Sequence, residues 1–157
     1  MYGFLMGALG VLVFHQGVIF LLHHYGNNIP AVVNTLGRVA GPGWNLRQMM
    51  PSPPIPGLAI PQFINQMFWG GLWGIVIAAM IRWTRFPMVL GGLLIGIFGC
   101  VGVAVTLVAA LKGLPLFAGG DKVALLRAAL INGAFGWGTA ILLRPFGLRK
   151  VELRGDT

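Results

Sequence analysis

Four apolar runs, each close to 20 residues long, dominate this sequence. They cover residues 3–22, 62–81, 88–111 and 123–143. A helix needs about 20 mostly apolar residues to cross the hydrocarbon of a bilayer. In lipid the backbone must satisfy its own hydrogen bonds, and continuous runs of this length do so only as helices. A β-barrel would instead show short alternating strands. The fold expected is therefore all-α and integral to the membrane, with four transmembrane helices forming one domain over residues 1–157.

The charge content supports that reading. Charged residues make up 9% of the chain and hydrophobic ones 57%, where a soluble domain carries about 25% charged. Too few charges exist to cover a water-facing surface. The formal net charge is +8, but the basic residues sit at the ends of apolar runs and not in a patch. They point to membrane lipids with anionic headgroups and not to nucleic acid. Residues 1–24 have no Lys or Arg ahead of the apolar run and no A-x-A cleavage pattern, so the first run is expected to be a retained helix. Cys100 is the only cysteine and lies within an apolar run, as a small packing residue would.

The connections differ in kind. Residues 24–61 hold Pro30, Pro42, Pro51, Pro53, Pro54, Pro56 and Pro61, which keep most of this long outer loop out of helix. Ala31 to Val39 can form a short interfacial helix, and residues 51–56 read as extended polyproline. The second connection, Arg82 to Pro87, is tight, and the third runs from Lys112 to Lys122. With four spans, Arg82, Arg85, Arg144, Arg149, Lys150 and Arg154 share the side of both termini. Arg38, Arg47, Lys112, Lys122 and Arg127 lie opposite. Arg82, Arg85 and Arg144 abut their spans, so both termini are expected to be cytoplasmic, with Arg82, Arg85, Arg144, Arg149 and Lys150 at lipid headgroups.

Small residues recur four apart at Gly3 and Gly7, Gly70 and Gly74, Gly92 and Gly96, and Ala134 and Gly138. Such pairs let helix backbones approach closely, either within the chain or between chains. Residues 64–68 with Gly71 echo residues 131–135 with Gly138, which suggests two helical hairpins in like orientation.

Polar residues at membrane depth are costly and mark candidate sites. His15 and Gln16 lie in the first span, Asn65 and Gln66 in the second, and Asn132 in the fourth. At about 1.5 Å per residue, His15 and Asn132 fall roughly 12–14 Å below the outer surface. They are expected to share a polar layer with Asn65, Gln66 and Thr106. His23 and His24, with Met49 and Met50 of the loop, form a second, outer candidate, since His with thioether is a chemically sensible copper set. All three histidines belong to the first span or its end, so a bis-His haem within one chain is disfavoured. No recognised metal spacing is present, and no cofactor is assigned. No acidic residue lies in any span, and no G-x-S-x-G, H-E-x-x-H or phosphate loop occurs, so an enzyme is not expected.

Phe14-His15-Gln16, followed by a Pro-rich loop leading to Phe68-Trp69-Gly70-Gly71-Leu72-Trp73-Gly74, resembles a family of short, uncharacterised bacterial four-helix membrane proteins. The resemblance implies the fold and a bacterial inner membrane, and assigns no activity or functional residue. The functional expectation is a non-catalytic accessory or assembly subunit of a larger membrane complex, of the respiratory or photosynthetic kind, in a hetero- or homo-oligomer. The alternatives are a homo-oligomeric channel or carrier for a small neutral or anionic solute, and a haem- or copper-binding membrane protein.

Overall fold

The computed structural model describes residues 1–47, 49–51 and 59–148, with side chains described outside 49–51. Arg149, Lys150 and Arg154 lie outside the described residues.

Four helices are long and apolar enough to cross a membrane: Tyr2–Asn28, Gln62–Trp83, Met88–Leu111 and Lys122–Phe146. They match the four runs expected. The first, however, extends six residues beyond 22, where the side chains of His23, Asn27 and Asn28 find backbone hydrogen-bond partners. Pro30–Leu36 forms the short loop helix, begun by Pro30 at its first turn and ended at Gly37 (φ 70°). In the loop, Met49–Pro51 pairs antiparallel with Ala59–Pro61, immediately before the second span begins.

Glycine sets the helix pairings. Gly3 and Gly7 lie against Gly74 and Gly70, so the first and second spans cross with their backbones in contact. A Cβ on Gly74 would lie 2.6 Å from Gly7 Cα, closer than any side chain tolerates. Gly92 and Gly96 meet the backbone of Gly136 and Asn132 in the same manner, joining the third and fourth spans. Between helices in lipid this close contact replaces the hydrophobic driving force.

The fourth span is central, and its two faces use different residues. Gly133, Gly136 and Ala140 meet the third span, while Gly138 and Thr139 meet Phe14 and Gly10 of the first. Of the four-apart pair Ala134 and Gly138, Gly138 lies on the face turned to the first span. The sequence echo has a related outcome. Gly71 and Gly138 each leave room for a phenylalanine ring, Phe4 and Phe14, and both rings come from the first span. The echoed glycines thus share the first span as partner, while the spans themselves pair as two hairpins, first with second and third with fourth. Val11, Ile77, Ile81, Phe135 and Leu143 close the centre of the bundle, with Cys100 buried among them.

The spans are unequal at the outer end. Gln16 meets Gln66, which places Gln62, the start of the second span, roughly level with residue 20 of the first. The first span continues about 12 Å further at 1.5 Å per residue. The loop fills this missing length of wall. Val39 lies beside His23 and Asn27, and Trp44 lies beside Gln16. Arg127 of the fourth span donates to the carbonyls of Leu36 and Arg38, a cation at the exposed carbonyl end of the loop helix. Asp121 caps the fourth span by accepting from the amides of Val123 and Ala124.

Gly74→Ala is expected to destabilise the fold by about 1–3 kcal/mol, because two backbones must separate to admit the methyl group. Gly102→Ala meets nothing within 4 Å and is expected to stabilise by about 0.5–1 kcal/mol through helix propensity. Thermal unfolding in detergent of the two variants, compared with the parent, checks both signs.

Candidate functional site

The site begins with a break in helix geometry. Val11–His15 of the first span forms a π-turn, in which the Gln16 amide donates to Val11 O. Leu12 O thereby loses its ordinary partner four residues on, and the Trp44 indole Nε1 donates to it at 2.7 Å. A carbonyl at membrane depth needs a donor when lipid supplies none, so the π-turn and the loop tryptophan satisfy each other.

Gln16 is the hub. It is 3% exposed. Its Oε1 accepts from the Trp44 backbone amide at 2.9 Å. Its Nε2 donates to Gln66 Oε1 at 2.7 Å and to His15 Nδ1 at 3.3 Å. Both Nε2 protons are thus committed, and His15 must accept on Nδ1, which leaves its own proton on Nε2. One side chain binds two spans and the loop together.

The loop reaches this hub through a strained turn. Gly43 and Trp44 are consecutive left-handed residues, with φ of 80° and 43°. Gly43 packs against Gln16 O and the backbone of Phe20. A bulky residue in that region costs on the order of 1–3 kcal/mol and persists where its surroundings over-determine it. Here the amide bond to Gln16, the indole bond to Leu12 and ring contact with Phe20 at 5.5 Å do so. Higher up, Asn27 exchanges two hydrogen bonds with the Val39 backbone, both at 2.9 Å. His23 Nδ1 donates to the same Val39 carbonyl at 2.8 Å.

Below the strained turn lies a cavity of ≈ 90 Å³, lined by Gln16, Ile19, Gly41, Gly43, Asn45, Gln62, Phe63 and Gln66. Its polar lining side chains are all carboxamides, and none of its lining residues is charged. Asn45 Oδ1 accepts from the Arg47 amide, and Gln66 Oε1 accepts from Gln16. Gln62 Oε1 is buried with no hydrogen-bond partner among the described residues. An unsatisfied buried acceptor costs about 1–3 kcal/mol, and in this cavity that cost falls on Gln62.

The structure brings together some of the candidate residues and separates others. His15, Gln16 and Gln66 form one network. Asn132 turns away and donates to Ala128 O of its own helix at 2.9 Å. Thr106 does likewise with Gly102 O. Asn132 therefore spends its amide on its own helix and is not hydrogen-bonded to His15, Gln16 or Gln66. Asn65 is half-buried and already engaged in an interaction. His23 and His24 lie edge to face, with ring centroids 4.9 Å apart, and His24 packs on Phe20 at 4.3 Å. Met49 and Met50 contribute strand backbone next to the second span. Among the described residues, no group of three His, Cys, Asp or Glu side chains converges. Arg82, Arg85 and Arg144 are exposed at the end shared by Tyr2 and Phe146.

Sequence reasoning missed Trp44, Asn45 and Gln62. Each sits in the loop or at its junction with the second span, where periodicity has no hold. The only available signal was the pair of carboxamides, Gln62 and Gln66, spaced four apart on one helix face.

Gln16→Leu is expected to cost about 1–3 kcal/mol, since it orphans the Trp44 amide, and to free the loop. A cysteine introduced at Gly41, in open space, should then react faster with an impermeant maleimide than it does in the parent. Unchanged labelling would show that Gln16 does not hold the loop.

The chain matches no family model, no curated protein and no solved structure.

Proposed function

We propose that this chain is a non-catalytic membrane subunit that works by association, docking a larger membrane complex through its outer loop. The observation that carries this reading is the preorganisation of that loop. Asn27 and His23 hold Val39, Gln16 and the Leu12 carbonyl hold Trp44, and Arg127 holds the end of the loop helix. A surface already ordered loses little conformational freedom on binding, which is the main cost of association for loops. The membrane is the bacterial inner membrane, with both termini cytoplasmic and Arg82, Arg85 and Arg144 at the inner headgroups.

The glycine faces support the same reading from the other side. Gly3, Gly7, Gly70, Gly74, Gly92 and Gly96 are all consumed within the chain. Partner contact is left to the loop and to the lipid-facing aromatic side chains, such as Trp69 and Phe98, which are 55% and 71% exposed.

Extraction in a mild detergent, followed by native electrophoresis and mass spectrometry, tests the proposal. The expected result is migration with a larger assembly, lost when Asn27→Ala and Arg127→Ala release the loop. Purification as a monodisperse monomer with no partner would overturn it.

A further inference from the structure

We infer that the carboxamide-lined cavity between the first span, the start of the second and the dipped loop is a binding site for a small neutral solute. The solute class is one bearing an N–H donor beside a carbonyl acceptor, such as a primary amide or urea. This inference is independent of the docking role proposed above.

The location comes first. Trp44 sits about one helical turn below the start of the second span, beside the apolar part of the first. Non-helical backbone at membrane depth is tolerated where it is backed by protein and lines a polar cavity. Interrupted backbone of this kind is also where membrane proteins build solute sites. The strained Gly43–Trp44 turn marks the same spot.

The chemistry of the lining selects the ligand. Among the described residues no charged side chain lines the cavity, so an ion entering it would lose hydration without a counter-charge. Gln16 is already committed on both ends of its amide. Recognition therefore falls to Gln62 and Gln66. Gln62 Oε1, buried and without a partner among the described residues, accepts a hydrogen bond from a ligand N–H. Gln66 accepts from Gln16 through Oε1 and turns its Nε2 donors to the ligand carbonyl. Ile19 and Phe63 supply the apolar wall. The volume, ≈ 90 Å³, lies well below the roughly 300 Å³ of a pocket for a drug-sized molecule, so the solute has only a few heavy atoms.

Saturation-transfer NMR on the protein in nanodiscs, with acetamide as the probe, tests this. Acetamide is expected to give a saturable signal. N,N-dimethylacetamide, which lacks the N–H groups, should bind at least tenfold more weakly, and acetate should not compete. Gln62→Leu should weaken acetamide binding at least tenfold while leaving the melting temperature unchanged or raised, because it removes an unpartnered acceptor. Thr139→Val, which alters a buried hydroxyl far from the cavity, should leave binding unchanged. Equal binding of acetamide and its dimethyl analogue, an unsaturable signal, or acetamide binding that survives Gln62→Leu would each overturn the assignment. The comparison of probes on the parent protein decides the matter even if Gln62→Leu does not fold.

Discussion

Helices immersed in lipid gain nothing by hiding apolar surface from one another, so their association rests on how closely their backbones approach. In this protein that approach is made by glycine against glycine, Gly7 against Gly70 and Gly74, and Gly92 against Gly136. Dispersion contacts fall steeply with separation, and each added methyl group at these crossings would part the helices. The first span contributes to more of these contacts than its sequence position suggests. It crosses the second span through Gly3 and Gly7, admits Thr139 at Gly10 and sends Phe14 into the dent at Gly138. The fourth span then joins it to the third.

With the helices this close, little space remains inside the bundle for polar groups, and they collect where the packing is incomplete. That place is the outer end of the second span, which starts lower than its neighbours. The loop descends into the gap, and its backbone amides and carbonyls need partners that lipid does not offer. Gln16, Asn27 and His23 supply them from one side of the first span, and the π-turn supplies a carbonyl for Trp44. The same incompleteness that requires this network leaves the small cavity beneath it. The anchoring of Val39 and Trp44 and the polar pocket are thus two consequences of one short helix.

Much of this was legible in the residues. Runs of apolar side chains announce membrane helices because the length and composition needed to cross hydrocarbon have few other uses. The four-residue glycine spacings marked real contact faces on three of the four spans. On the fourth span Gly138 meets Phe14 of the first, while the seam with the third helix is made by Gly133, Gly136 and Ala140, of which Gly136 and Ala140 are themselves four apart. Gln16 and Gln66 were singled out for their cost at membrane depth, and they do meet. Asn132 was singled out on the same ground, yet its amide is spent on its own helix.

The sequence by itself determined the number of spans, their approximate limits and the residues small enough to let backbones touch, since these depend on local composition and on the solvent being lipid. Only the tertiary structure decided which helices pair, that Val39 to Trp44 turn back down beside the first span, and that Asn45 and Gln62 join Gln16 around a common cavity. Depth along a helix can be counted from a sequence, but the direction in which a side chain leaves its axis depends on how the helices rotate to seat their glycines. The path of a loop depends on which carbonyls and amides are left over once they have done so.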